Sequence, residues 1–222
     1  MLALFRKPSE DVSYRSKIDL SLPLDGASYV VMDTELTGLE YRADSIVSIG
    51  ALKMTGSRIE LNSTFYEVVR PRTELTSKSI VVHEITPSET AMRPGIESIL
   101  EGFLRFCEGA VIVGHFISLD LKFLSKEIKR AGFGQLKNPA VDTCAIHDWM
   151  TDQGNGFSSS YTGRMESKDL FSLARKYQVP VQGAHNALID AYITAQIFQR
   201  FIVMLRKHGV RTLKDLLRIG KP

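Results

Sequence analysis

The chain has 222 residues, with 28 Lys and Arg against 25 Asp and Glu, and a net charge of only +3. Hydrophobic residues make up 44% and charged residues 24%, values of a folded globular protein that exclude a disordered or fibrous chain. Two cysteines without paired spacing exclude a disulfide framework and a Cys-rich zinc site, so we expect Cys107 and Cys144 to be buried thiols.

Composition along the chain predicts an irregular N-terminal arm over residues 1–26, a main domain over 27–208 and a basic C-terminal extension over 209–222. The first apolar run is too short for a signal peptide, and we see no stretch long and apolar enough to span a bilayer. We therefore expect a cytoplasmic protein. The basic residues from Arg200 onward suit a phosphate backbone, an acidic partner or a solvated helix face.

The first predicted elements are strands. Apolar and β-branched residues over 29–33, 45–54 and 58–69 predict three strands, and residues 55–57 (Thr-Gly-Ser) suit a hairpin connection. Apolar spacing after residue 93 predicts four further elements. These are a helix over 94–107, a strand over 110–114, a helix over 119–131 and a short strand over 140–141.

Residues 150–167 are rich in Gly, Ser, Asn, Asp and Thr and predict a long loop, either functional or disordered. Within it Phe157 and Tyr161 are candidates for stacking on bases or for loose packing. Helical spacing returns over 168–177 and 186–207, and a last short helix is expected over 212–217. Strands followed by strand–helix alternation predict an α/β fold, with a mixed sheet flanked by helices.

Four acidic residues stand out beside apolar segments. Asp33 and Glu35 are two apart at a strand end and can face one site, although this pair alone fits a solvated strand end better. Asp120 opens a helix after a strand, and Asp190 lies in the longest helix. Gathering four negative charges favours a cation, and oxygen ligands favour Mg²⁺ or Mn²⁺ over zinc. Two such ions about 3.5–4 Å apart can promote phosphodiester hydrolysis.

Further segments accompany these acids in order along residues 29–200. They are 33–39 (Asp-Thr-Glu-Leu-Thr-Gly-Leu), 44–50 (Asp-Ser-Ile-Val-Ser-Ile-Gly), 83–86 (His-Glu-Ile-Thr), 114–120 (Gly-His through Asp) and His185 with Asp190. Together they resemble the motifs of the DEDDh exonucleases, the DnaQ-like family of DNA polymerase III proofreading subunits and related nucleases. Such an ordered set is far more specific than any one motif.

The resemblance implies a ribonuclease-H-like fold, an antiparallel meander followed by parallel strands, and 3′-to-5′ exonuclease activity that releases nucleoside 5′-monophosphates. It implies two Mg²⁺ or Mn²⁺ ions, with Asp33 bound to both and Glu35 and Asp190 bound to the ion that holds the attacking water. Asp120 would complete the set through water, and His185 would be the general base. Because five residues separate His185 from Asp190, one helix would direct them roughly 140° apart. We therefore predict that the helix begins at or just after His185.

The resemblance also places the terminal nucleotide beside Leu39 and the backbone of Leu36 and Thr37, with His115 and Phe116 as further expected substrate-binding residues. Position 36 is Leu where Thr is frequent, and position 116 is Phe where Asn is common, so the choice between DNA and RNA stays open. Phe116 could stack on a base or pack against the core. By spacing alone, His115 is expected as a core-edge histidine.

The remaining histidines, His83, His147 and His208, have no metal-ligand spacing and are expected at the surface. The expected partner is a nucleic acid with a 3′ end, DNA rather than RNA, with a polymerase as a candidate protein partner and no membrane. Two alternatives stay open. One is an exoribonuclease that trims RNA ends, and the other is a catalytically silent module that binds nucleic acid or a polymerase.

Overall fold

The computed structural model describes residues 18–154, 167–183 and 185–222. A five-stranded sheet has the order β3-β2-β1-β4-β5. Its strands are β1 (Ser28–Leu36), β2 (Ile46–Thr55), β3 (Arg58–Val68), β4 (Val111–Gly114) and β5 (Ala140–Asp142). The first three pair in antiparallel fashion, whereas β4 pairs parallel to β1 and to β5. The predicted mixed sheet, a meander followed by parallel strands, is confirmed.

Helices flank the sheet and occupy most of the second half of the chain. They are α1 (Ser77–His83), α2 (Pro87–Ala91), α3 (Leu100–Phe106), α4 (Ser118–Arg130), α5 (Thr143–Gly154), α6 (Leu170–Lys176), α7 (Ala187–Lys207) and α8 (Leu213–Ile219). A 3₁₀ turn over Ile96–Ser98 precedes α3, so the helix predicted over 94–107 forms in two pieces. Helices α1, α2 and α5 were not predicted. Phe157 and Tyr161 lie outside the described residues.

The core has two layers, one on each face of the sheet. Along β1, Tyr29 and Val31 point into the layer shared with α5 to α8, whereas Val30 and Met32 point into the layer shared with α3 and α4. Successive side chains of a strand point to opposite faces, and both faces of this strand are covered. That is why β1 is apolar without interruption until the acids begin.

The longest helix, α7, packs across β1 and β2. It begins at Ala187, where the Asn186 side chain accepts hydrogen bonds from the first backbone N–H groups, and this confirms the helix start predicted just after His185. We expected no stretch long and apolar enough to span a bilayer, and this was wrong, because among the described residues α7 has the length and composition of a membrane span. However, 56% of its apolar window is buried inside the protein. Most of its apolar residues thus belong to the core, whereas Tyr192 and Val203 are exposed.

Residues 209–222, expected as a basic extension, pack into the same core. Leu213 and Leu216 of α8 are buried, and the N–H of Leu213 donates to the carbonyl of Leu22. At the far end of α8, the Gly220 carbonyl accepts a hydrogen bond from the N–H of Asp142 in β5. The cationic residues within α8, Lys214 and Arg218, are exposed on the outer side of a helix whose inner side is apolar.

Candidate active site

Three carboxylates converge where β1 meets the first turn of α7. One oxygen each of Asp33, Glu35 and Asp190 lies within 4.8 Å of the others. Gly50, the β2 residue paired with Asp33, makes this approach possible. A Cβ at Gly50 would lie 2.1 Å from the backbone nitrogen of Leu188, so only glycine lets α7 start this close to the sheet.

The fourth acid, Asp120, lies in the first turn of α4 and is bound to the same strand. Its Oδ1 accepts hydrogen bonds from the N–H of Thr34 at 3.0 Å and from the Thr34 hydroxyl at 2.5 Å. Because Thr34 stands between Asp33 and Glu35, these bonds hold α4 against the acidic end of β1. The structure thus brings all four predicted acids together, three in one cluster and Asp120 beside it.

Burial and mutual repulsion disfavour the ionised form of these acids. Burial, followed by repulsion from Asp190 and Asp120, raises the pKa of Glu35 to about 7. Burial also raises the pKa of Asp190 to about 6, against the opposing effect of His185. For Asp33, burial and then repulsion from Asp120, Glu35 and Asp190 raise the pKa well above its usual value. Without a cation the cluster therefore retains protons near neutral pH.

The acidic cluster fits a divalent cation. Its donors are all carboxylate oxygens, the ligands preferred by hard ions such as Mg²⁺ and Mn²⁺. The Oδ1 atom of Asp190 is buried, and none of the described residues donates a hydrogen bond to it. A buried acceptor without a donor is costly, and a bound cation would satisfy it.

A pocket of about 610 Å³ opens beside the acids and collects the expected substrate-binding residues. Leu36, Thr37 and Leu39 line one wall, and His115 and Phe116 line another. A third wall, which was not foreseen, comes from α1 and the residue before it. It consists of Thr76, Lys78, Ser79, Val82 and His83.

The two residues after β4 that were expected to bind substrate differ in what they can offer a ligand. His115 is buried, and its ring nitrogens are engaged with the Thr143 hydroxyl at 2.9 Å and the Lys168 carbonyl at 2.8 Å. Phe116 packs beside that ring, with centroids 4.5 Å apart, and is 52% exposed. His115 therefore supports the wall as a core-edge residue, whereas Phe116 presents an aromatic surface.

The backbone of His185 lies beside the acids. Its N–H donates to Oδ2 of Asp190 at 3.2 Å, and its backbone adopts a left-handed conformation with φ of 66°. The imidazole packs edge-on against Phe171, with ring centroids 5.1 Å apart. The side chain is exposed and is not part of the pocket wall.

Two histidines expected at the surface are buried, and that expectation was wrong. His83 is only 5% exposed, lines the pocket and accepts a hydrogen bond at Nδ1 from the N–H of Ile85. His147 is also buried, with Nδ1 2.7 Å from the Tyr177 hydroxyl. Only His208 is exposed as expected. The signal missed for His83 was the capping box that starts α1, Thr76 with Ser79 three residues later.

Comparison with known proteins agrees with this arrangement. The RNase_T family model, described as Exonuclease, matches residues 30–198. A DNA polymerase III PolC-type protein of Thermotoga maritima is 31% identical over 193 residues, which cover 87% of this chain and 13% of that protein. A DNA polymerase III subunit epsilon-like protein of Rhodobacter capsulatus is 32% identical over 198 residues, 88% of this chain and 26% of the relative. The chain thus spans about a quarter or less of these relatives.

Solved nuclease structures share the fold. Exonuclease X in complex with 5′-overhanging duplex DNA superposes with a TM-score of 0.64 at 21% identity, covering 86% of this chain and 98% of that one. Exonuclease I of E. coli, bound to a dT13 oligonucleotide, gives a TM-score of 0.70 at 14% identity over 82% of this chain and 42% of that one. Since the family model matches well over half of the sequence, the chain belongs to the RNase_T exonuclease family, as its resemblance to the DnaQ-like exonucleases predicted.

Proposed function

We propose that the chain is a 3′-to-5′ exonuclease that removes terminal nucleotides from DNA with two Mg²⁺ or Mn²⁺ ions and releases nucleoside 5′-monophosphates. The observation that carries this proposal is the convergence of Asp33, Glu35 and Asp190 within 4.8 Å beside a nucleotide-sized pocket. The buried, donor-free Oδ1 of Asp190 supports it, because a cation would complete its contacts.

Each acid has a proposed place in holding the ions. Asp33 would contact both, Glu35 and Asp190 would share one, and Asp120 would complete the set through water. Divalent ions in such sites acidify water and neutralise charge on the reacting phosphate. Hydrogen bonds from the N–H and the hydroxyl of Thr34 hold the Asp120 carboxylate against β1.

The pocket walls would hold the terminal nucleotide. The Thr37 hydroxyl donates to Asp44 and accepts from the N–H of Ser45, and the Thr37 N–H donates to the Ser45 carbonyl. The polar group that Thr37 would offer a ligand is therefore its backbone carbonyl. Leu39, which is 73% exposed, would contact the sugar or base with its apolar side chain. Lys78 on the α1 wall would supply a positive charge for a phosphate group.

His185 would act as the general base, accepting a proton from the attacking water on its neutral imidazole. Its backbone N–H is bound to Asp190, and its ring packs on Phe171. Exposed side chains change rotamer rapidly, and catalytic hydrogen bonds often form only once substrate is bound. The present orientation of the ring is compatible with this role.

DNA is the proposed polymer because the named relatives are DNA polymerase III proteins and the solved neighbours were captured with DNA. The same relatives support association with a polymerase and, with it, a cytoplasmic location. The alternatives are an exoribonuclease, and a silent module that binds nucleic acid or a polymerase. The intact acidic cluster favours an active enzyme over the silent module.

The test is a time course on 5′-labelled single-stranded DNA, duplex DNA and RNA with Mg²⁺ or with excess EDTA. We expect a ladder that shortens from the 3′ end, faster on DNA, and no products in EDTA. The Asp33→Asn variant is the matched control and should give no ladder. Faster RNA shortening would establish the exoribonuclease, and an intact, nucleic-acid-binding chain without turnover would establish the silent module. Undiminished hydrolysis in EDTA would overturn the metal mechanism.

A further inference from the structure

The turn after β4 presents Phe116 in an unusual way. The residue has φ of 53°, a left-handed conformation that is uncommon for a bulky side chain and costs free energy. Just before it, a Cβ at Gly114 would lie 2.3 Å from Cδ1 of Ile117, so the buried Ile117 side chain folds back over the glycine. Phe116 is thereby left at the tip of the turn, half-exposed in the pocket wall.

Asp142, the last residue of β5, holds this turn. Its Oδ1 accepts hydrogen bonds from the N–H of Phe116 at 3.1 Å and from the N–H of Cys144 at 2.7 Å. The carboxylate is 6% exposed, and its own backbone N–H is bound to the Gly220 carbonyl. Asp142 belongs neither to the three-acid cluster nor to the pocket wall. Its hydrogen bond toward the pocket wall is with the N–H of Phe116, and, after burial, its carboxylate also contributes to the raised pKa of Asp120.

The ring of Phe116 has a rigid support. It packs against His115 at a centroid distance of 4.5 Å, and both nitrogens of His115 are engaged, with Thr143 and with Lys168. An aromatic side chain that is buried on one side and exposed to a pocket on the other suits stacking on a nucleobase. The exposure of 52% argues against the alternative that the ring is a core residue.

We propose that Asp142 is a positioning residue that fixes Phe116 for stacking on the base of the 3′-terminal nucleotide, and that the stack favours a purine there over a pyrimidine. The inference rests on the proposed function, because the pocket must hold that nucleotide. A purine presents a larger ring system than a pyrimidine, so it gains more stacking energy from a fixed aromatic surface. Recognition by hydrogen bonds would instead depend on the polar groups of the base and not on the size of its rings.

The test measures binding of reaction products, which are not hydrolysed. The full chain is titrated with dAMP, dCMP and 2-deoxyribose 5-phosphate in Mg²⁺ by calorimetry. We expect dAMP to bind more tightly than dCMP. Phe116→Ala should raise the Kd for dAMP by about 5- to 150-fold, which corresponds to the loss of one base stack. The ratio between the Kd values for dCMP and dAMP should become smaller. Binding of the baseless sugar phosphate should stay unchanged, which separates loss of stacking from loss of the phosphate site.

Variants at Asp142 test the positioning role. Asp142→Asn retains an oxygen for both N–H groups and should bind dAMP like the wild type, whereas Asp142→Ala should reproduce most of the loss seen in Phe116→Ala. In the Phe116→Ala background, Asp142→Ala should add no further loss, because its effect passes through the ring. A purely structural role would instead lower affinity for all three ligands together and persist in the double variant.

Two further outcomes keep the proposals apart. If Asp142→Ala does not fold, Asp142→Ser replaces it, since a serine hydroxyl can still cap the nearby N–H of Cys144 but is too short to bind Phe116 as well. Wild-type affinity for dAMP in that variant would overturn the positioning role. A wild-type chain that degrades DNA but binds dAMP and dCMP equally would overturn the purine preference alone, and a chain that neither degrades DNA nor binds either nucleotide would overturn the proposed function as well.

Discussion

Replacing Glu35 with Gln should change how the metal-free chain responds to pH. Burial, with repulsion from Asp190 and Asp120, raises the pKa of Glu35 from 4.5 to about 7. Between these values the folded chain binds more protons at this group than the unfolded chain does. The free energy of unfolding therefore falls as pH rises through this window, and the destabilisation is complete above pH 7.

The expected size follows from the change in pKa. Glu35 is 8% exposed, so solvent screening is weak. A rise from 4.5 to about 7, at about 1.36 kcal/mol for each pKa unit, corresponds to about 3 kcal/mol. Gln does not titrate, so Glu35→Gln does not lose this stability as pH rises. From pH 4.5 to pH 8 its free energy of unfolding, minus that of the wild type, should therefore rise by about 3 kcal/mol.

Urea unfolding in EDTA at several pH values measures this difference, with Glu40→Gln as the matched exposed control from the loop after β1. For the control, the plot of free energy of unfolding against pH should be parallel to that of the wild type. If the plot for Glu35→Gln is also parallel, the raised pKa of Glu35 is refuted. Saturating Mg²⁺ should reduce the advantage of the variant at pH 8, because an ion at about 100 times its Kd stabilises the wild type by about 2.7 kcal/mol and the variant lacks one ligand.

Three further predictions concern the same site. Asp33→Asn should abolish turnover yet melt no lower than the wild type in EDTA, since one source of carboxylate repulsion is gone, and a lower melting temperature would contradict this. His185→Ala should lower kcat by about 10²–10⁴-fold while the Mg²⁺-induced rise in melting temperature is retained, and wild-type kcat would show that another group takes the proton. Gly50→Ala would place a Cβ 2.1 Å from the Leu188 nitrogen and should cost about 1–3 kcal/mol of stability. It should also reduce the Mg²⁺-induced rise in melting temperature. An unchanged melting temperature would show that α7 can move away freely.

The sheet and the acids could be predicted from the sequence because their signals are local. An uninterrupted apolar run, as in β1, is what a strand covered on both faces requires, and Asp33 with Glu35 follows directly on it. Asp120 and Asp190 stand next to equally clear elements. The positions of all four acids were therefore predictable, whereas the distances between them depend on packing such as that at Gly50.

Helix α5 shows why other parts could not be predicted. Its buried positions have helical spacing, but two of them are Thr143 and His147, polar residues that a search for apolar periodicity does not count. Both are buried because they form hydrogen bonds, Thr143 with the Gly114 carbonyl and His147 with the Tyr177 hydroxyl. These partners are distant in sequence, so the burial of the two side chains becomes evident only in the folded chain.

The position of α8 bears on how truncation experiments should be read. Deleting residues 210–222 would uncover apolar core surface and leave the N–H of Asp142 without the Gly220 carbonyl, although none of the deleted residues lines the pocket. Weaker DNA binding by such a shortened chain would therefore not identify the basic side chains of this segment as phosphate contacts. Charge reversal at the exposed Lys214 and Arg218, with α8 intact, is the comparison that isolates their electrostatic contribution.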